Sequence, residues 1–364
     1  MPPFTRLVDG LPGELPFVAP ERLERRRGRP LELRLGANES VFGVAEGVAE
    51  AMAAALERVA WYGDPESLEL RDEIARRHGV RPGNVSVGAG IDDLLGLAVR
   101  VLLEPGAVGV GPRGGYPMFP FHVAGYGGRL ETVPYRDDRS DLQRLAAAAR
   151  RTGARLVYLA NPDNPSASVV PAAGIKAFLE QLPSGCVLLL DQAYAELAPA
   201  AAETPAVDDG RVICFRTFSK AFGMAGARIG YALAAAATVA AFDKVRAHFA
   251  VNRVAQAGAL ASLRDRAFPG RVRAENAAGL ADYAALGREL GAPTLPSATN
   301  FALFDFGTAG RAEAVLAALL DRGVFVRKPQ VPPLDRCVRV TVGTPEERRR
   351  FGEVLRRLRS TGVF

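Results

Sequence analysis

The sequence predicts an α/β protein: a doubly wound, mostly parallel sheet of seven strands in a large lobe, with a smaller α+β lobe beside it. Three observations carry this. Seven short apolar runs alternate with stretches of helical period. The connections between the runs are long enough to hold helices, which parallel pairing requires. The polar residues of chemical interest follow the ends of those runs, where open α/β sheets receive ligands.

Taken in order, residues 1 to about 34 form a Pro- and Arg-rich arm. Helical stretches near 46–59, 66–78, 91–103, 141–152 and 171–182 then alternate with apolar runs near 85–88, 107–111, 129–133, 155–160, 186–191, 211–217 and 229–234. After about residue 238 a long helical stretch through Phe242, Val245, Phe249 and Val254 is expected. In the last part, Thr299–Phe304 and Val338–Val342 read as strands around a helix at Ala312–Leu320. The division expected is an arm at 1–34, to be added to the small lobe, a large lobe at 35–250 and a small lobe at 251–364. No internal repeat or low-complexity linker interrupts the pattern.

With 364 residues, 48% of them apolar, the chain can bury a large core. It holds no uncharged apolar run of eighteen residues, and its start lacks the charged head and apolar centre of a signal peptide, so a cytoplasmic protein with no membrane partner is expected. The net charge of +6 includes the run Arg22-Leu23-Glu24-Arg25-Arg26-Arg27, which glutamate interrupts and no aromatic accompanies. That is a solvated face, and no nucleic-acid partner is expected. Cys186, Cys214 and Cys337 are widely spaced and histidines number three, which argues against a disulfide framework or a histidine metal centre.

The most informative string is Arg216-Thr217-Phe218-Ser219-Lys220-Ala221-Phe222-Gly223-Met224-Ala225-Gly226-Ala227-Arg228. Ser-Lys alone would be an ordinary surface pair. A lysine between hydroxyls, with an arginine eight residues on, can instead hold a phosphorylated aldehyde covalently while Thr217, Ser219 and Arg228 grip its phosphate. This suits pyridoxal phosphate (PLP), with Lys220 forming the Schiff base and then serving as general base. Asp191, at the end of Cys186-Val187-Leu188-Leu189-Leu190, supplies the carboxylate that keeps a pyridine nitrogen protonated. By itself it would equally read as a helix cap; Lys220 twenty-nine residues later decides for the cofactor. Tyr194 can bond the ring's 3′ oxygen, as can Asn164, aimed by the two prolines of Asn161-Pro162-Asp163-Asn164-Pro165.

With these motifs in this order, the chain resembles a fold-type I PLP enzyme of the class I/II aminotransferases, and within them the histidinol-phosphate aminotransferase group. The resemblance runs from Leu35-Gly36-Ala37-Asn38-Glu39-Ser40 to Val338-Arg339-Val340-Thr341-Val342-Gly343-Thr344-Pro345. It implies an amino-acid or amine donor, a 2-oxo acid acceptor and a homodimer. It further implies that the amides of Ile91 and Asp92, after Gly88-Ala89-Gly90, receive the cofactor phosphate and that Tyr116 stacks on the ring. Tyr62 would reach the phosphate of the neighbouring subunit. Arg339 would clamp the substrate α-carboxylate, Arg327 would contact a distal phosphate, and Asn38 would lie among the substrate-binding residues.

Four departures fall near the substrate. Ser166-Ala167 stands where the family has Thr-Gly, Arg113-Gly114-Gly115 lengthens the loop before Tyr116, Gln192 replaces a glutamate, and Val41-Phe42-Gly43 replaces Asn-Pro-x-Gly. They leave open which amino donor is used. They also leave open a PLP decarboxylase, lyase or oxygen-using oxidase on the same scaffold and, from another class, a non-catalytic regulator.

Overall fold

The computed structural model describes residues 3–13, 17–198 and 209–364. Eleven strands occur among them: β1 Leu33–Arg34, β2 Val85–Gly88, β3 Val108–Pro112, β4 Arg129–Val133, β5 Leu156–Ala160, β6 Val187–Asp191, β7 Val212–Thr217, β8 Gly230–Leu233, β9 Phe301–Asp305, β10 Val324–Phe325 and β11 Cys337–Thr341. Seven of them form one sheet in the order β2-β8-β7-β6-β5-β3-β4. Neighbours are parallel except β8, which is antiparallel to both β2 and β7.

The central strands are apolar throughout because both faces are covered. Side chains alternate between the faces, so Val157, Leu159, Leu188 and Leu190 join one core. Leu156, Tyr158 and Leu189 join the core on the other side. Every side chain of β5 is therefore buried. The register pairs Ala160 with Asp191 and Asp191 with Phe215, which brings the ends of β5, β6 and β7 to one edge.

A second core gathers Tyr283, Phe304, Phe351 and Leu355 around the antiparallel pair β9–β11. The helices Phe268–Leu290, Ala309–Asp321 and Pro345–Ser360 supply part of it. The last begins sharply because Thr344 and Glu347 form a reciprocal capping box and Pro345 occupies the first turn. Leu33 and Leu35 join this core, and β1 pairs in parallel with β10.

Two expectations need correction. The stretch after residue 238 is broken: helix Ala236–Asp243 ends, the chain turns, and a new helix runs Arg253–Arg264. Asn252 marks the restart, its side chain accepting from the amide of Ala255 at 2.8 Å. The helix foreseen to residue 59 ends at Leu56. Helix Met118–Gly125 was not foreseen, since its apolar residues show no helical period to read.

Candidate active site

Each candidate residue except Tyr62 lines one cavity of about 730 Å³ at the strand-end edge of the large sheet. That volume is typical of small-molecule sites.

Lys220 follows β7 in a tight turn. Gly223, at φ 72°, lets the chain pass against the carbonyl of Gly43, where a Cβ would collide with it. The Lys220 Nζ donates to the carbonyl of Asn38 at 2.9 Å. Burial, then the positive charge of Arg339, pushes its pKa down to about 8.

Asp191, at the end of β6, is 5% exposed. One of its oxygens accepts from the Tyr158 hydroxyl at 2.9 Å and the other from the amide of Ala193 at 3.0 Å. Burial raises its pKa to about 6, against the lowering effect of the Tyr158 bond. Tyr158 was not a candidate. It sits two residues before the end of β5 with its ring stacked on Phe119, and its signal was a hydroxyl inside an otherwise apolar strand.

The loop after β5 is locked by its own side chains. The Asn161 side chain bonds both the amide and the carbonyl of Val170. Asp163 is buried and accepts from Tyr135 and the Ser166 amide, each at 3.0 Å. Ala167 holds φ 61°, the left-handed region that favours glycine, and its amide donates to the Asp163 carbonyl. This loop presents Asn164, whose Oδ1 accepts from Arg339 at 2.6 Å. Its NH₂ end remains for the cavity. Tyr194, with pKa raised by burial to about 12, accepts from the Asn38 side chain at 2.9 Å. Asn38 therefore touches both Tyr194 and Lys220, and Thr341 of β11 holds it by two further bonds.

At another side, helix Ile91–Leu102 points its N-terminus at the cavity. Gly90, at φ 96°, has no room for a side chain because a Cβ would meet the Arg228 guanidinium. The amides of Ile91 and Asp92 open this helix without intrahelical acceptors. Beside them, Thr217 donates to the Ser219 hydroxyl at 2.9 Å, leaving the Ser219 proton to point elsewhere. Among the described residues Arg228 donates to the carbonyls of Ala225 and Ala89 and to no carboxylate. Helix terminus, hydroxyl and guanidinium together can hold a phosphate. Tyr116 donates to the Asp92 carboxylate at 2.9 Å, and burial raises its pKa.

The remaining end is cationic. Arg339 of β11 donates to Asn164 and to the carbonyl of Gly36, while its buried Nε has no partner among the described residues. Burial lowers its pKa to about 10. Arg327 pairs with Arg339 through the backbone and donates to the carbonyls of Gly36 and Val18. Its side chain also lies over the rings of Phe17 and Phe325. Phe17 and Val18 of the arm and Gly114, Gly115 and Gln330 complete this wall, none of them a foreseen site residue.

Tyr62 lies apart, 78% exposed, its ring 4.6 Å from that of Phe249. Among the described residues no group of histidine, cysteine or acidic side chains is arranged to hold a metal ion, and no helix is long and apolar enough to cross a membrane.

The family model for aminotransferase class I and II matches residues 32–355. A solved histidinol-phosphate aminotransferase from Sinorhizobium meliloti, in complex with pyridoxal-5′-phosphate, is 46% identical and superimposes with a TM-score of 0.94 over 98% of both chains. The histidinol-phosphate aminotransferase of Sphingopyxis alaskensis is 37% identical over 94% of this chain and 95% of its own. Histidinol-phosphate aminotransferase 1 of Cupriavidus pinatubonensis is 36% identical over 89% and 88%. The cavity fits the cofactor on its own terms: a buried carboxylate, a buried amine and an anion cradle that a single Cβ at Gly90 would fill. The chain belongs to the class I and II aminotransferases, and is a pyridoxal-phosphate-dependent enzyme that transfers an amino group between an amino donor and a 2-oxo acid.

Proposed function

We propose that the donor is an amino-alcohol phosphate of the histidinol-phosphate type. The observation that carries this is the pair Arg327 and Arg339, bridged through the backbone and lining one end of the cavity, which among the described residues donate only to neutral oxygens. Two guanidinium charges in a partly dry site are costly unless an anion joins them, and a phosphate dianion can take paired hydrogen bonds from both. A single carboxylate would answer only one. Relatives named as histidinol-phosphate aminotransferases support the same reading, and favour transamination over the decarboxylase, lyase or oxidase alternative.

Pyridoxal phosphate, when bound, supplies an electron sink that lets the donor's α C–H bond ionise. The residues provide the rest. Lys220 Nζ would take the donor's α-proton and carry it, which needs a free amine; burial keeps a usable fraction neutral near pH 7. Asp191 would hold a proton at the ring nitrogen. Tyr194 and the NH₂ end of Asn164 would bond the ring's 3′ oxygen, and Tyr116 would cover the ring. Ile91, Asp92, Thr217, Ser219 and Arg228 would hold the cofactor phosphate. Arg339, Arg327 and Asn38 orient the donor, and the tether from Arg339 to Asn164 links substrate position to ring position.

The test is a half-reaction: holoenzyme mixed with histidinol phosphate, histidinol, histidine or glutamate in the absence of an oxo acid, with oxo product counted. We expect one equivalent of product from histidinol phosphate at far lower concentration than from histidinol. In Arg327→Ala, KM for the phosphate donor should rise about 10–100-fold, the loss of one charged hydrogen-bonding pair. Equal use of histidinol and its phosphate would refute this reading.

We also propose a homodimer in which Tyr62 reaches the partner's cofactor phosphate. Leu56, Val59, Trp61, Tyr62 and Phe249 are each more than half exposed, an apolar surface that monomers rarely present. Trp61→Glu should give a monomer in sedimentation, with weakened cofactor retention. The arm at 1–34, the cofactor lobe at 35–250 and the small lobe at 251–364 are our reading of the chain's division; the separate cores support two lobes, while Ala255, Ala259 and Leu263 of the helix Arg253–Arg264 pack into the core of the large one.

A further inference from the structure

Behind Lys220, away from the large cavity, lies a second one of about 10 Å³, bordered by Lys220, Ser40, Asn276 and Asn300 among others. Its polar lining is incompletely bonded. Asn300 donates its Nδ2 to the carbonyls of Asn38 and Glu39, and Asn276 donates its Nδ2 to the carbonyl of Thr299. These bonds fix both amide orientations, since a flip would set oxygen against oxygen. Both Oδ1 atoms are thereby left buried with no partner among the described residues, and so is the Ser40 hydroxyl. Asn276 is 3% and Asn300 6% exposed. Three such atoms around one small space are costly, each on the order of 1–3 kcal/mol.

One molecule meets all of these demands at that size. Water needs roughly one probe sphere of room and usually makes about three hydrogen bonds. Its two protons suit the two amide oxygens, and its lone pairs suit the Ser40 hydroxyl and an N–H of Lys220. A neutral lysine amine has two N–H donors and one lone pair. Asn38 takes one donor at 2.9 Å. With the second taken from behind, the lone pair is left facing the large cavity.

We propose that this cavity is a binding site for one structural water, held by Ser40, Asn276 and Asn300, which positions Lys220 by accepting its second N–H and turning its lone pair toward the substrate. This rests on Lys220 being the proton-carrying amine. The charged groups around that amine are Arg339, Glu39, Asp92 and Arg228, and of these Glu39 also borders the small cavity.

The test begins with a high-resolution crystal structure of the holoenzyme. One ordered water within hydrogen-bond distance of Asn276 Oδ1, Asn300 Oδ1 and Ser40 Oγ is expected; a dry cavity overturns the proposal. The second reading is the pH profile of kcat in Ser40→Ala and, independently, Asn276→Leu. An acceptor on Lys220 favours its protonated form, so removing the water should move the acid limb to lower pH by about one unit, with kcat down roughly tenfold and KM little changed. Unmoved limbs in both folded variants would refute the positioning role even with water in the density. Full turnover by Lys220→Ala would instead sink the reading of Lys220 as the base, while leaving the three oxygen partners of the water intact.

Discussion

The cavity has two ends built in different ways. At the ring end, Asp191, Asn164 and Lys220 stand at the ends of β6, β5 and β7, neighbours in one sheet, and are tied by hydrogen bonds of 2.6–2.9 Å to Tyr158, Arg339 and Asn38 respectively. At the donor end, Arg339 and Arg327 come from the small lobe and lean on carbonyls of Gly36 and Val18, more than 290 residues away in sequence. The first end is a frame that takes its backbone positions from the sheet and is closed by two distant partners; the second exists only where separate parts of the chain close together. The difference teaches that chemistry and donor choice are set by different structural means, one by sheet register and one by lobe packing.

Substitutions at the two ends should therefore fail differently. The largest effect is expected for Lys220→Ala, with kcat reduced by about 10⁴-fold or more, because the other lysine lining the cavity, Lys328, is held by Glu313 and the carbonyl of Asp335. Single-turnover measurements with added cofactor check this. Next comes Arg339→Ala, expected to lower kcat/KM by about 10²–10³-fold. Arg339→Lys should recover little of it, since a lysine cannot make both the Asn164 and the Gly36 bonds in one plane. If Lys restored full activity, the tether between donor and ring would be unnecessary.

The smallest effects should come from the frame's own tuning. Tyr158→Phe removes the hydroxyl on Asp191, so its pKa should rise and cofactor affinity fall about tenfold, the worth of one hydrogen bond to a charge. Cofactor-release measurements and the absorbance of the bound cofactor both report it. In the cofactor-free chain Asp191 has a folded pKa of about 6, above its unfolded value. Between these values the folded state binds more protons, so stability should fall as pH rises from about 4 to 6, by at most about 3 kcal/mol. Chemical denaturation of Asp191→Asn should lack that slope.

Much of the frame was legible because its signals are local. Strand-end residues such as Asp191 and Lys220 announce themselves by a polar side chain after a buried apolar run, and Asn164 by flanking prolines. Tyr158 was hidden for the opposite reason: it lies within such a run, and only the parallel register of β5 with β6 sets its hydroxyl on Asp191. The helix break before Asn252 was equally local, yet continuous apolar spacing on both sides masked it. The departure at Ser166-Ala167 proved compatible with the left-handed turn, because the Asp163 network holds the backbone there.

By itself, the sequence determined the α/β class, the cofactor and the lysine, aspartate and asparagine that line one cavity, since these depend on hydrophobic period and on residue types at strand ends. Tertiary structure alone decided the hub at Asn38, the polar chamber behind Lys220 and the wall formed by Phe17, Arg327 and Arg339. Those join residues from both termini and the middle of the chain, and no local pattern encodes which distant carbonyl will face a given side chain once the lobes pack.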